Sequence, residues 1–423
     1  MSRRGQVGRA LNILVLRGLG SGISVLLALV VARFLGTDAA AKFFLLFNIT
    51  TIAAVCFRWG MDEIIVRRVA TAGTDAQVQV VASRLLMLSH TRVTVWVVTA
   101  GLVVAIAALT PLPSTIGITW VELLAMLAVS AAIALSACGG RVYQGVGRVN
   151  FATLILNILI PGLALVGLVT LVAFNVPTSA LGLFAIYGTA ATLSYVTVVW
   201  VLPVARPQLR PKDPSGILDQ QGRSDLASAN RLGGVVLSQQ ILNWGALLIV
   251  PTVYGGAIYT SFNVDFKLAS LVSLVMLAVN FTFASRLASL YARRELSELR
   301  RLTRQMTIAV VSASVLFGGL LLLSRGAIYK FANIEMEHDF VLVLLVLGQV
   351  FFALSAVFSL VLTMSHQERF LLVTQGAVSV LGLTAFAVLS VVGSIEWATG
   401  AFLLSYGLLT PMLGRRVWRV LNG

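Results

Sequence analysis

Arg17, Arg58, Arg92 and Lys267 stand in stretches of sequence that should carry no charge. Each lies within an apolar run long enough to cross a bilayer core, which takes about 20 residues. An ionisable side chain there is costly and marks a cavity or an ion path, unless its stem lets the charge reach the headgroups. Arg58 and Arg92 lie near one end of their runs and Arg17 about two turns in, so headgroup contact competes with a cavity role for all three. Lys267 sits about a third of the way from the other end, where that escape is harder. The deep charges are mostly cationic, and guanidinium groups match phosphate oxygens as paired donors, so the chemistry they offer is the binding of an anion. A carrier of organic cations would want buried carboxylates instead. Asp265 is the one acid well inside a run, since Asp62, Glu63 and Glu122 lie near ends.

Helical spacing groups these residues further. At 100° per residue Asn48, Thr51, Arg58 and Asp62 fall within about 80° of arc. Arg58 and Asp62, four apart, can pair. In the preceding run Arg17, Gly20, Ser21, Ser24 and Ala28 form a stripe of small and polar residues, and Gly18 with Gly22 gives a close-packing GxxxG spacing. Asp265 and Lys267 diverge by some 160°, so one regular helix cannot aim both at one cavity. Lys267 shares a face with Asn263 and Ser270 and is assigned to the lumen. Asp265 shares the other face with Ala269 and Asn280 and is assigned to a packing pair. The candidate anion site is therefore Arg17, Arg58, Lys267, Arg92 and Asn48, with Asp62 and Asp265 as charge partners. Gln239, Gln240, Asn243 and Gln349 suit either a cavity wall or hydrogen bonds between helices. His90, beside Arg92, reads as a bystander.

The elements that must position them are membrane helices. Hydrophobic residues make up 58% of the 423 and charged residues 11%, against about 25% charge in soluble domains. The fold class expected is an all-α polytopic membrane protein. The apolar runs give roughly twelve spans, near 10–35, 42–64, 87–109, 120–140, 149–173, 180–203, 231–251, 257–283, 306–328, 339–364, 370–393 and 396–417. The first run is too long for a signal-peptide core and has no cleavage site, so it is expected to stay as a span. The net charge of +15 does not point to nucleic acid, because it is sorted by loop. Arg67, Arg68 and Arg84, or Arg300, Arg301 and Arg304, fall on one side, and only Arg33, Lys42, Arg325 and Lys330 on the other. That asymmetry orients the chain with both termini cytoplasmic, and the localisation expected is the cell (inner) membrane. Cys56 and Cys138 both lie in apolar runs and suggest neither a disulfide framework nor a metal site.

The longest polar stretch, Pro203 to Arg231, reads as a flexible linker. It divides the chain into an N-terminal six-helix lobe (1–205), a cytoplasmic linker (206–230) and a C-terminal six-helix lobe (231–423). The lobes look like weak repeats: laying Gly36 on Gly255 sets Phe43 on Phe262, Asn48 on Lys267 and Arg67 on Arg286. Two such halves, inserted in the same orientation, are a transporter's architecture. A second cytoplasmic segment, Ser285 to Met306, alternates basic and apolar residues and is expected to lie on the membrane surface as an amphipathic helix.

The turn Ala32-Arg33-Phe34-Leu35-Gly36-Thr37, with Trp59-Gly60-Met61-Asp62-Glu63-Ile64-Ile65-Val66-Arg67-Arg68-Val69-Ala70 at the end of the second run, resembles the opening of the polysaccharide (O-antigen type) flippases. These belong to the multidrug/oligosaccharidyl-lipid/polysaccharide (MOP) superfamily. The resemblance implies a two-lobe, V-shaped, MATE/MOP-like transporter. It would move an undecaprenyl-diphosphate-linked glycan from the cytoplasmic to the outer leaflet for surface polysaccharide assembly. It also implies the lipid-linked glycan and the phospholipid bilayer as partners, with polysaccharide polymerase or chain-length proteins as neighbours in assembly. Related lipid II flippases carry arginines in the first two helices and a basic residue in the eighth.

Two alternatives stand beside this reading. One is an ion-coupled multidrug exporter of the same superfamily, against which the sparse buried acids count. The other is a membrane glycan polymerase or glycosyltransferase, which would need a sizeable exterior loop or a D-x-D metal site that the sequence lacks. There is no Walker A stretch for ATP, and the loop RRVATAGTDAQVQVVASR does not match the basic motif of the major facilitators. The chain is expected to be no enzyme and to need no cofactor. A coupling proton or sodium ion has no clear site.

Overall fold

The computed structural model describes residues 3–72, 74–107, 118–201, 220–274, 276, 283, 286–287, 289–291, 293–334, 339–365 and 367–422. In chain order the helices are α1 (Arg3–Leu35), α2 (Thr37–Arg58), α3 (Met61–Ala70), α4 (Asp75–Ala107), α5 (Trp120–Gly145) and α6 (Val149–Ala173). They continue with α7 (Ala180–Val201), α8 (Gln220–Val253), α9 (Gly256–Ser270), α10 (Leu296–Ala332), α11 (Asp339–Met364), α12 (Glu368–Val392) and α13 (Ile395–Asn422). Ten segments among the described residues are long and apolar enough to cross a membrane. The other two expected spans fall on α9, which is 15 residues long with most of the expected span beyond residue 276 outside the described residues, and on α13. The protein is an all-helical polytopic membrane protein. Its outward side chains fit a lipid solvent: Leu323 is 86% exposed and Leu381 70%, which water would penalise.

By contacts the chain forms two compact units. Lys42–Leu237 make a central unit; Met1–Ala41 and Ser238–Gly423 make the other, called here the C-terminal unit. These bounds are not those of the halves read from sequence order, because α1 packs on α9 and α10 and the first part of α8 packs within the central unit.

Local chemistry sets the helix ends. Gly36, at φ 74°, makes the left-handed turn that ends α1, a conformation nearly free of cost only for glycine. Thr119 caps α5 in a reciprocal box with Glu122, and Lys42 Nζ stands 2.8 Å from Glu122 Oε1. Within α6 the turn Leu154–Leu159 is π-helical. The cause is Pro161, which has no N–H for the carbonyl four residues back. Arg33 Nη1 donates to Phe331 O at 2.7 Å and its guanidinium lies 5.1 Å from that ring, fastening α1 to α10.

Three expectations need correction. The second expected span, 42–64, is not one helix: α2 stops at Arg58, Trp59 and Gly60 take positive φ, and α3 starts at Met61. The end of the expected linker, residues 220–230, is helical and opens α8; residues 202–219 lie outside the described residues. The stretch from Leu296 to Met306 is the start of the 37-residue α10 rather than a separate surface helix. Its buried Leu299, Leu302 and Met306 pack inward and carry the span's helix onward.

Candidate functional site

The central unit is built around the break between α2 and α3. A side chain at Gly60 would fall on the Ala229 carbonyl of α8, and one at Gly233 would come within 2.7 Å of the Trp59 ring. Backbone packed this closely requires glycine at both positions, and the φ of 78° at Gly60 requires it again. The break puts Arg58 in the last turn of one helix and Asp62 in the first turn of the next, so the continuous stripe from Asn48 to Asp62 does not form. The pair survives across the break: Arg58 Nε is 3.5 Å from Asp62 Oδ2.

A further arginine, which sequence reading left among the loop charges, completes this cluster. Arg141 on α5 places Nη2 3.5 Å from both Asp62 Oδ2 and Glu63 Oε1, and Nη1 donates to Gln144 Oε1 at 2.8 Å. Neither the Nε–H of Arg58, which meets Asp62 only as an ion pair, nor that of Arg141 makes a hydrogen bond among the described residues. Two guanidinium groups share one buried carboxylate and keep donors in reserve, an arrangement suited to an added anion.

A second cluster went unread because its acid lay in the expected linker. Asp225 of α8 is 1% exposed. Arg68 of α3 donates to its Oδ1 from Nε at 2.8 Å and Nη2 at 2.6 Å, and Arg84 of α4 reaches Oδ2 at 3.0 Å. The signal was present: Gly222, Asp225, Ala229 and Gly233 recur at helical spacing and form the buried stripe of α8. Ala229 joins Met61, Ile65, Leu85 and Val142 in one core. Arg92 Nη2 donates to Asn230 Oδ1 of the same helix at 2.5 Å, and its Nη1 is buried without an acceptor among the described residues. His90 lies 2.7 Å from Leu86 O through Nδ1 and 2.8 Å from the Tyr195 hydroxyl through Nε2. The carbonyl contact fixes the proton on Nδ1, so Nε2 accepts from Tyr195. Asn48 is buried in α2, 4% exposed.

The C-terminal unit holds Arg17 on α1 and Lys267 on α9, both half-buried. Thr260 Oγ1 donates to Thr37 O at 2.9 Å, which registers the start of α9 against the α1–α2 turn. Arg17 lies eighteen residues before Leu35, about 27 Å of helix, and Lys267 lies seven beyond Thr260, about 10 Å. The two charges therefore differ in depth by roughly 15–20 Å, too much for one diphosphate to touch both. Asp265 is 1% exposed and receives the Tyr329 hydroxyl of α10 at 2.6 Å. Its hydrogen-bond partner among the described residues is a phenol, not a cation. Asn280 lies outside the described residues.

Gln239 and Gln240 line a cavity of about 320 Å³ inside this unit, between α8, α11, α12 and α13, and Asn243 Nδ2 donates to Gln240 Oε1 at 3.1 Å. Gln349 is buried at 3% exposure in α11. A second, apolar cavity of about 800 Å³ opens between α11, α12 and α13, with Phe340, Leu381, Trp397 and Leu404 on its walls. Among the described residues no three His, Cys, Asp or Glu side chains come together as a metal site, and both cysteines are free thiols.

No protein-family model matches the chain, and no curated protein matches it. Solved structures do. A multidrug resistance MATE family transporter of the MOP superfamily, solved inward-facing, superposes with a TM-score of 0.74 at 14% identity, over 97% of this chain and 98% of that one. Another such transporter, solved outward-facing, gives 0.67 at 16% identity over 98% and 96%. A MOP superfamily transporter from Pyrococcus furiosus, described as having a binding pocket of reverse polarity that suggests a different function, gives 0.61 at 14% identity over 97% and 96%. The chain thus has the MATE/MOP fold over nearly its whole length.

Proposed function

We propose that this protein is an alternating-access flippase for an anionic, lipid-linked oligosaccharide, carried from the cytoplasmic to the outer leaflet. The observation that carries the reading is the Arg58–Arg141 pair, two half-buried guanidinium groups sharing Asp62, whose Nε–H groups make no hydrogen bond among the described residues. A diphosphate supplies the acceptors such donors need. Arg17 and Lys267, at different depths of the C-terminal unit, would hold it in succession rather than together. A fold shared with transporters solved inward-facing and outward-facing supports alternating access. The sugars would cross beside polar side chains while the polyprenyl chain stays in lipid.

Orientation with cytoplasmic termini lets the membrane potential drive the step. Two negative charges leaving an inside-negative cell across ~150 mV release roughly 7 kcal/mol, at about 2.3 kcal/mol per charge per 100 mV. The lipid-linked glycan and the bilayer are the partners this reading requires, with a polysaccharide polymerase or chain-length protein receiving the product. No bond is made or broken, so no catalytic group is assigned.

Multidrug export is the second reading, favoured by the description of the structurally similar transporters. An organic cation would need a carboxylate to meet it. Asp265 is engaged by Tyr329 and Asp62 by two arginines, so the acids best placed for that task are occupied. The Pyrococcus furiosus transporter supports using the sign of the pocket to separate the two functions. The experiment is depletion of the protein in its own cell, with the leaflet position of lipid-linked glycan followed by a membrane-impermeant probe. Accumulation on the cytoplasmic leaflet is expected. Normal glycan export together with drug sensitivity would establish the second reading instead.

A further inference from the structure

We infer that the cavity between α8, α11, α12 and α13 is a subsite for an uncharged sugar ring of the carried glycan. This deepens the proposed function and rests on it. The cavity measures about 320 Å³, at the small end of the roughly 300–1,000 Å³ range of small-molecule sites. Its polar walls are amides and hydroxyls: Gln239 and Gln240 from α8, Ser355 and Ser359 from α11, Gln375 from α12 and Tyr406 from α13. No charged side chain among the described residues lines it.

Hydrogen bonding fixes what the cavity still lacks. Ser359 Oγ donates to Ser355 O at 2.8 Å, so it receives the Gln375 amide at 2.7 Å as an acceptor from Nε2. That direction leaves Gln375 Oε1, on a residue that lines the cavity and is only 5% exposed, with no donor among the described residues. An unmet buried acceptor is costly, and a ligand hydroxyl would satisfy it. Phe352 meets the Tyr406 ring edge-on at 5.1 Å and supplies a rigid aromatic wall.

The ligand class follows by charge and donor count. A divalent cation would want carboxylates, and an anion would want the guanidinium groups found elsewhere in the protein. A polyhydroxylated ring gives and accepts hydrogen bonds without charge and stacks its carbon face on an aromatic. Ordered water meets the same polar groups, and the test separates it. The diphosphate and the sugar are thereby recognised in different places, by different chemistry.

The test measures binding to the purified full chain in lipid nanodiscs with two probes, bare undecaprenyl diphosphate and the same carrier bearing one N-acetylhexosamine. The wild type is expected to prefer the glycosylated carrier by about tenfold, the worth of one added hydrogen bond. Gln375→Leu is expected to erase that preference and leave the affinity for the bare carrier unchanged. If this variant folds poorly, Ser355→Ala with Ser379→Ala, two serines that also line the cavity, takes its place with the same expectation. Equal wild-type affinity for both probes, the outcome of a cavity holding water only, overturns the subsite and leaves the flippase reading standing. So does a preference that survives the substitutions. Failure of the wild type to bind either probe overturns the flippase reading itself.

Discussion

The central unit and the C-terminal unit solve the problem of polar groups in a membrane in opposite ways. In the central unit the polar interior is charged: Arg58 and Arg141 meet on Asp62, and Arg68 and Arg84 meet on Asp225. Each cluster has arginines converging on one acid. In the C-terminal unit the charges stand apart: Arg17 and Lys267 lie at different depths, Asp265 is answered by a phenol, and amides and hydroxyls wall a cavity. A charged cluster in a low-dielectric setting is costly unless well paired, so it suits a fixed joint or a charged ligand. Neutral groups cost less to hydrate and release, and suit a ligand that must come and go. Under the proposed function the paired arginines of the central unit would serve the anion and the α3–α4–α8 joint, and the neutral cavity of the C-terminal unit would serve the sugar.

The largest effect should come from breaking a charged cluster. Asp225→Ala leaves two arginines facing an emptied site and is expected to cost about 3 kcal/mol, the lower end for a broken buried pair because Arg68 and Arg84 are partly exposed. Thermal unfolding in detergent reads it, and an unchanged melting temperature would mean that the cluster is not the joint described. Next is the glycine at the helix break. Gly60→Ala combines positive φ with a collision on Ala229 O, and is expected to cost about 2 kcal/mol on the same assay. If it is tolerated, α8 does not pack as closely as described.

The sequence made the spans legible because a run of apolar residues needs no partner to declare itself. The break at Trp59–Gly60 was not legible, since apolar residues continue to Val69 and a lone glycine is a weak stop. Only the approach of Ala229, more than 160 residues later, demands it. Asp225 and Arg141 were hidden for a similar reason. One sat in a polar stretch that reads as linker and the other among loop charges, and their meaning lies in what folds against them. The depth difference between Arg17 and Lys267 becomes readable once the Thr37–Thr260 bond sets the register.

Smaller effects sharpen the neutral side. Tyr329→Phe removes the donor to Asp265 and is expected to cost about 1.5 kcal/mol of stability with transport retained. Loss of transport at full stability would give Asp265 a role in coupling instead. Lys42→Ala should matter least. Lys42 is 40% exposed where it meets Glu122, so the pair is worth under about 1 kcal/mol, and Glu122 keeps its bond to Thr119 N. A larger loss would show that charge pairing at the α5 end carries more than capping does.

The central claim is that cationic side chains hold the transported anion. It is tested most directly by replacing Arg17, Arg58 and Lys267 together with glutamine and measuring glycan export in cells depleted of the native protein, at matched membrane levels of the variant. Export reduced at least about tenfold, the worth of one charge-assisted hydrogen bond, with lipid-linked glycan held on the cytoplasmic leaflet, is the predicted result. Export at the wild-type rate would contradict it.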